Sequence, residues 1–329
     1  MDDLDWPALD ALPDRLVFQS REWLEFLART QHARPVVARV VDGDTSLGWF
    51  TGAVVRRARI PILGSPFPGW TTAFMGFNLD EGVSRADAAR ALPSLAWRLR
   101  CVHVELKDRW TSSEDLERAG FEHGPTTTWE LALDGDDEEL FSRMTSSCRR
   151  AVRKSEKESV TVEVADDLAI VDEYYAQLGE VFARQGLRPT YSLDRVRALV
   201  ECLRPAGRVL CLRARRADGL PIASAIFPFD RQAAYFWGGA SAQEHQIHRP
   251  NEAIMWHAMR AFRDRGLARI DLAGGGDYKQ KYGAVELRYP FGRRALVPGL
   301  LRARDLAARV VSRRLYGSTA TVPAGLREG

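Results

Sequence analysis

The sequence predicts a layered α/β (α+β) protein made of two similar halves, and three observations carry that expectation. Short segments such as Val160-Thr161-Val162-Glu163-Val164 alternate apolar and polar residues, the period of a half-buried strand. They are interleaved with segments whose apolar residues recur every three or four positions, as on an amphipathic helix. The order of these elements in the second half returns in shorter form in the first, although the halves share no evident sequence identity. With 329 residues, 45% of them hydrophobic and 28% charged, the chain can form two ordinary domains and is neither disordered nor fibrous in composition.

In the first half, Arg21 to Thr30 reads as a helix, and Pro35 to Val41 and Leu47 to Val55 read as strands. The segment from Pro61 to Phe77, with Gly64, Ser65, Pro66, Pro68, Gly69, Trp70 and Gly76, is too irregular for a plain hairpin and reads as a loop. Ser84 to Leu99 is a helix, Cys101 to Leu106 a strand, Ser112 to Ala119 a short helix and Thr127 to Leu133 a strand. The expected division is 1–140 and 141–329.

The second half opens with a helix that has two faces. Arg149, Arg150, Arg153, Lys154 and Lys157 share one side, and Leu140, Phe141, Met144, Cys148 and Val152 the other. After the strand at 160–164, apolar positions at Val171, Tyr174, Leu178, Val181 and Phe182 define a helix, and Ser192 is the N-cap of another that ends near Leu203. Three strands follow, Arg208 to Arg215, Ile222 to Phe229 and Ala233 to Ala240, the first two joined by the turn pair Asp218-Gly219. Pro250-Asn251 opens a helix with Ile254, Ala258 and Phe262 on one face. Ala268 to Leu272 is a short strand, and Gly274-Gly275-Gly276 breaks it before a short helix. A basic amphipathic helix is expected over 300–315, with fraying from Tyr316 onward.

Composition removes several functions. A net charge of +3 excludes a strongly basic nucleic-acid coat protein but allows a local basic groove. No apolar run approaches the ~20 residues of a membrane span. The acidic start lacks the basic region of a secretory signal, so a soluble cytoplasmic protein is expected. Cys101, Cys148, Cys202 and Cys211 form no C-x-x-C pair and read as free thiols. The six histidines show no metal-ligand spacing, so no metal is expected. Only five of the 47 basic residues are lysines, at 107, 154, 157, 279 and 281. GC-rich drift explains much of that bias, but an ammonium that persists is a point charge that Arg does not replace at every site.

Several residue groups can carry chemistry. The face of Arg149, Arg150, Arg153 and Lys154 is either a solvated helix flank or a surface that reads phosphates. Between Gly274 and Gly283, Tyr278 and Tyr282 flank Lys279 and Lys281. Glycines allow close backbone approach and an ammonium can meet an oxyanion, whereas a plain surface turn is the alternative. Tyr235 and Trp237 share a strand face that either belongs to the core or flanks a planar ligand group. Arg249 and Asn251 stand at a loop-to-helix junction, as anion ligands or ordinary caps. Asp271 either orients Lys279 or accepts a proton, or it caps the glycine turn.

Five stretches, in order, resemble the Fem family of aminoacyl-tRNA-dependent transferases, whose members are built from two GCN5-related N-acyltransferase (GNAT) domains. Phe18-Gln19-Ser20-Arg21-Glu22-Trp23 looks like the family's "FQS-x-x-W", and 147–157 like its "R-x-x-I-R-K-A-E-K" helix. Trp237-Gly238-Gly239-Ala240-Ser241 is similar to "Y-x-G-x-S", Asp271-Leu272-Ala273-Gly274-Gly275 to "DFGG", and Tyr278-Lys279-Gln280-Lys281-Tyr282-Gly283 to "FK-x-x-FG". Leu272 replaces the family's aromatic, and the long coiled arm of some members is absent. The resemblance implies two tandem GNAT-like acyltransferase domains packed together. It also implies transfer of an amino acid from aminoacyl-tRNA to an amine, with Lys279 at the oxyanion and the loop around Trp70 shaping the acceptor cleft.

The expected partners are therefore the acceptor end of aminoacyl-tRNA, as co-substrate in place of a bound cofactor, and an amine-bearing small molecule or peptide. An acyl-CoA-dependent N-acyltransferase is the alternative, and a catalytically dead binding module the third class. Acyl-CoA enzymes of this fold hold pyrophosphate on a glycine-bearing R/Q-x-x-G-x-G/A loop, and no glycine occurs between Gly239 and Gly266. That absence favours aminoacyl-tRNA.

Overall fold

The computed structural model describes residues 3–57 and 60–297. In chain order they form α1 (Trp6–Asp10), α2 (Arg21–Gln31), β1 (Arg34–Asp42), β2 (Thr45–Arg57), β3 (Ile60–Ser65) and β4 (Gly76–Leu79). Next come α3 (Arg85–Arg98), β5 (His103–Leu106), α4 (Ser113–Arg118), β6 (Glu122–Ala132), α5 (Asp137–Arg143) and α6 (Ser146–Lys157). These are followed by β7 (Thr161–Val164), α7 (Ala169–Ala183), α8 (Leu193–Leu203), β8 (Val209–Arg215), β9 (Pro221–Pro228) and β10 (Ala233–Tyr235). The last are β11 (Gly238–Ser241), α9 (Pro250–Asp264), β12 (Arg269–Asp271) and β13 (Val285–Ala295).

They divide into two units. One holds the residues up to Thr126 and those from Arg288 on, and the other holds Thr127–Leu287. This differs from the expected division after residue 140, for a pairing reason. From Glu130 to Ala132, β6 pairs with β12, and Leu131, Leu133, Leu140 and Met144 lie in one core with residues of α9. The end of β13, Gly292 to Ala295, pairs with β5 of the first unit.

In the first unit the strand order is β1-β2-β3-β5-β13-β6, with β4 on β2. Only β3 and β5 are parallel among its pairs described here. Phe50, Leu63, Val104 and Leu106 bury one face against Ala89, Leu92 and Ala96 of α3 and Leu116 of α4. Ser20, Ser84 and Ser112 cap the three longer helices by accepting backbone N–H bonds. The segment from Pro61 to Phe77 is more regular than its composition suggests. It contains β3 and the start of β4, and the lack of a Cβ at Gly64 gives the Phe67 ring its place.

The second unit follows the expected order. β11-β9-β8-β7 form an antiparallel sheet, and residues 127–132 of β6, β12 and β10 form a further layer. α9 and α6 cover one face of β8 and β9 through Ile254, Ala258, Phe262, Cys148 and Val152, and α7 packs on β9 and β11 from the other.

Two expected elements are each broken in two. The helix over 140–157 is interrupted at Met144, whose ψ of 150° is extended, because Thr145 caps α6 by accepting the Cys148 N–H at 3.3 Å. The strand over 233–240 is interrupted at Phe236 and Trp237. Ala234 lies opposite Phe229 and Gly238 opposite Ile226, so four steps face three and one residue bulges out.

Cys101, Cys148 and Cys211 are buried, Cys202 is half-buried, and all four thiols are free. Among the described residues no helix is long and apolar enough to cross a membrane. The expected tail helix and the fraying beyond it lie outside the described residues.

Candidate active site

β10 and β12 run parallel and in register as far as Tyr235 opposite Asp271. There they part. The Phe236 N–H still donates to Asp271 O at 2.8 Å, but the Trp237 N–H donates to Ile226 O at 3.1 Å and carries its strand to β9. The Leu272 N–H donates to Trp129 O at 2.7 Å, and the Trp129 N–H to Ala273 O at 3.2 Å, which carries the other strand to β6. A crevice beyond the carboxyl ends of diverging parallel strands is where open α/β sheets place ligands.

Asp271 and Lys279 meet at that point through one residue, Ala273. Oδ1 of Asp271 accepts from the Ala273 N–H at 2.7 Å and from the Thr128 hydroxyl at 2.5 Å. Nζ of Lys279 donates to Ala273 O at 3.0 Å and to Gly274 O at 2.5 Å. Ala273 has φ +63°, a left-handed conformation that costs a non-glycine residue about 1 kcal/mol, and these bonds hold it there. Lys279 is 4% exposed and Asp271 1%.

A 3-10 turn over Asp277–Tyr282 follows Gly276, whose φ of +91° and closeness to the Tyr278 ring suit glycine. Lys281 points elsewhere than Lys279. Its Nζ lies 2.6 Å from Glu252 Oε1 and 4.9 Å over the Tyr282 ring. Its carbonyl accepts from the Thr145 N–H at 3.0 Å, which docks the turn on the start of α6. Tyr282 is buried, which pushes its phenol pKa well up, whereas Tyr278 is exposed.

Tyr235, the last residue of β10, is buried. Trp237 packs on Tyr191 with ring centroids 4.9 Å apart and on Tyr174 at 6.4 Å. The two tyrosine hydroxyls lie 2.6 Å from each other, and burial raises both phenol pKa values. A Cβ at Gly238 would sit 2.2 Å from the Tyr174 hydroxyl. Sequence reasoning placed Tyr174 only in a helical core stripe and missed Tyr191. The one local signal was an aromatic residue just before the Ser192 cap.

At the start of α9, Arg249 is left-handed at φ +59° and Pro250 is the first helical residue. The Arg249 N–H donates to Gln246 O, and Pro250 has no N–H to offer. Asn251 is exposed and its Nδ2 donates to Ser241 Oγ at 3.1 Å. His248 Nδ1 lies 2.5 Å from Glu158 Oε2 and ties this junction to the end of α6.

The basic face of α6 is less open than expected. Arg149 turns back, and its Nη1 donates to Ser142 O at 2.9 Å and to Met144 O at 2.5 Å, closing the end of α5. Lys154 pairs with Glu158 at 3.4 Å. Arg150 and Arg153 are exposed, the latter 5.3 Å over the Phe141 ring. The second unit thus gathers Asp271, Lys279, Tyr235, Trp237 and the 278–282 turn around one strand divergence. Trp70 belongs to the first unit, where it is buried against Phe67 at 4.8 Å. Among the described residues no group of three or more His, Cys, Asp or Glu could hold a metal ion.

Residues 142–282 match the acetyltransferase (GNAT) domain family. No curated protein matches the chain. Among solved structures, the crystal structure of FemX is similar with a TM-score of 0.73 at 14% identity, covering 91% of this chain and 96% of that one. L-PGS from Bacillus licheniformis is similar with a TM-score of 0.53 at 12% identity, covering 90% and 98%. A tandem GNAT protein from the clavulanic acid biosynthesis pathway gives 0.50 at 15%, covering 89% and 94%. The chain has a FemX-like double-GNAT fold, as its motif order implied.

Proposed function

We propose that this protein is an acyltransferase that forms an amide bond by moving an amino acid from aminoacyl-tRNA to an amine acceptor, a small molecule or a peptide. Fold likeness to FemX and the five motifs support the reaction class. The observation that carries the donor choice is the start of α9. An acyl-CoA pyrophosphate needs converging backbone N–H groups there. Pro250 lacks one, Arg249 uses its own, and the following Glu252 adds a mostly buried carboxylate held by Lys281.

In the reaction, the acceptor amine attacks the ester carbonyl carbon of the aminoacyl group. A carbon–nitrogen bond forms, the carbonyl oxygen takes the negative charge, and collapse expels the ribose oxygen of tRNA. The amine loses one proton and the departing hydroxyl gains one. Lys279 supplies positive charge beside the strand divergence for the oxyanion. Asp271 is a positioning residue, since it accepts from the N–H of Ala273, the residue whose carbonyl accepts from Lys279. The outer side of α6, with Arg150 and Arg153, serves the phosphates of the acceptor stem.

The GNAT domain match favours acyl-CoA as the second reading. Charging total tRNA with labelled amino acids and adding a panel of amines tests the choice. Aminoacyl transfer gives a labelled amide whose formation ribonuclease abolishes. Product that survives ribonuclease and follows added acyl-CoA reverses it.

A further inference from the structure

On the outer side of the second unit, two arginines and two aromatic rings follow one another across three helices. Arg153 of α6 lies with Cζ 5.3 Å over the Phe141 ring of α5. Phe141 packs on Trp256 of α9 with ring centroids 5.2 Å apart. Arg260, one turn further along α9, lies with Cζ 5.8 Å over the Trp256 ring. Both cation–ring distances are within the attractive range, and both arginines are exposed. A guanidinium held on a ring keeps its planar fork directed, so less freedom is lost when it meets a phosphate. The nearest carboxylate on Arg260, that of Asp137, bonds Arg263 at 2.5 Å but stands 3.7 Å from Arg260 Nε, beyond hydrogen-bond length. The local field is positive: the His257 imidazole is held below its usual pKa by burial and then by Arg260 and Arg265.

We propose that this line of side chains is the surface on which the acceptor stem of the donor RNA lies, with Arg260 as a phosphate contact on α9 beyond those of α6. The inference rests on the aminoacyl-tRNA reading. Arg150 and Arg153 stand three residues apart on the outer side of α6, and α6 packs on α9. The Phe141–Trp256 pair bridges Arg153 to Arg260, so three exposed cations form one continuous track. That track suits backbone and not bases. Trp256 is 9% exposed and Phe141 carries Arg153 on its ring, so neither is the open platform on which a single strand stacks. What faces outward is guanidinium, which a duplex can meet with its phosphates whatever its sequence. The place fits a stem as well. Arg260 lies about 15 Å of helix past Pro250, the first residue of α9, and the paired stem of a tRNA begins only after its unpaired 3′ nucleotides.

Titration of the full chain at rising salt tests it with two labelled probes, an acceptor-stem minihelix and the short unpaired 3′ strand alone. Arg260→Ala should weaken binding of the minihelix about three- to tenfold at low salt, lower its salt slope by about one and leave the short strand unaffected. Asp137→Asn removes the acid beside Arg260, so it should tighten the minihelix about two- to threefold even as the lost bond to Arg263 lowers melting temperature. A gain in binding from a less stable protein is not what a purely structural patch gives. An Arg260→Ala protein that melts like the wild type and binds the minihelix with unchanged affinity and slope overturns the track but leaves the donor reading standing. Equal weakening of both probes also overturns the track, since Arg260 would then act at the 3′ end. A wild type that binds no minihelix overturns the donor reading and the track with it.

Discussion

At the scale of single residues, the two lysines of the 277–282 turn separate function from support. If Lys279 meets the oxyanion, Lys279→Met should lower the single-turnover rate by about 100-fold to 1,000-fold with donor binding nearly unchanged. Lys279→Arg should restore only part of it, because a planar guanidinium directs its charge differently. Lys281→Met breaks the contact with Glu252, so its cost should fall on melting temperature and much less on rate. Asp271 offers a sharper distinction. As a positioning residue it needs one oxygen toward the Ala273 N–H, so Asp271→Asn should keep the rate within about tenfold and the same pH–rate profile. Loss of an acidic limb in the pH–rate profile would mean that Asp271 carries a proton instead. The sequence made these residues legible because motif spacing and the glycine run are local. Tyr191 was not, since its place is set by contacts with Trp237 and Tyr174, which lie far from it in sequence.

At the scale of elements, short local competitors decided where the sequence reading broke. Apolar spacing from Leu140 to Val152 is continuous, but a threonine that can cap a helix and an arginine that can close the previous one divide it at Met144. A binary pattern does not register such caps. The break at Phe236 is likewise invisible in alternation, because a bulge preserves composition while changing partners. The consequence for α6 can be measured. Arg150→Glu and Arg153→Glu should each weaken binding of an acceptor-stem RNA and lower the salt slope by about one, whereas Arg149→Glu should lower melting temperature first. A second element-level clamp is Arg213 on β8, buried and bonded to Glu173 at 2.5 Å, Asp167 at 2.9 and 3.0 Å and Glu163 at 3.0 Å. Its hydrogen bonds lower the Asp167 pKa to about 2 from 3.8. The folded value lies below the unfolded one, so this carboxylate supports the fold above about pH 4 and the support is lost as pH falls toward 2. Melting temperature should drop across that window, and Asp167→Asn should flatten the drop while lowering stability at neutral pH. An unchanged slope would remove Asp167 from the clamp.

At the scale of the whole molecule, the double-GNAT architecture followed from element order and motif order together, while the boundaries between its units did not, because strand pairing joins residues far apart in sequence. Donor chemistry is the central claim, and it depends on how one helix begins. The proposal rests on a start in which the left-handed Arg249 spends its N–H on Gln246 O and Pro250 has none to give. The most direct measurement is a side-by-side titration of the full chain with an aminoacylated acceptor-stem minihelix and with CoA, repeated at rising salt. Aminoacyl-tRNA transfer requires saturable binding of the minihelix, weakening with salt by a slope of only a few charges, and no saturable binding of CoA. Saturable binding of CoA, with a minihelix that binds no better than an unrelated RNA hairpin, would contradict it.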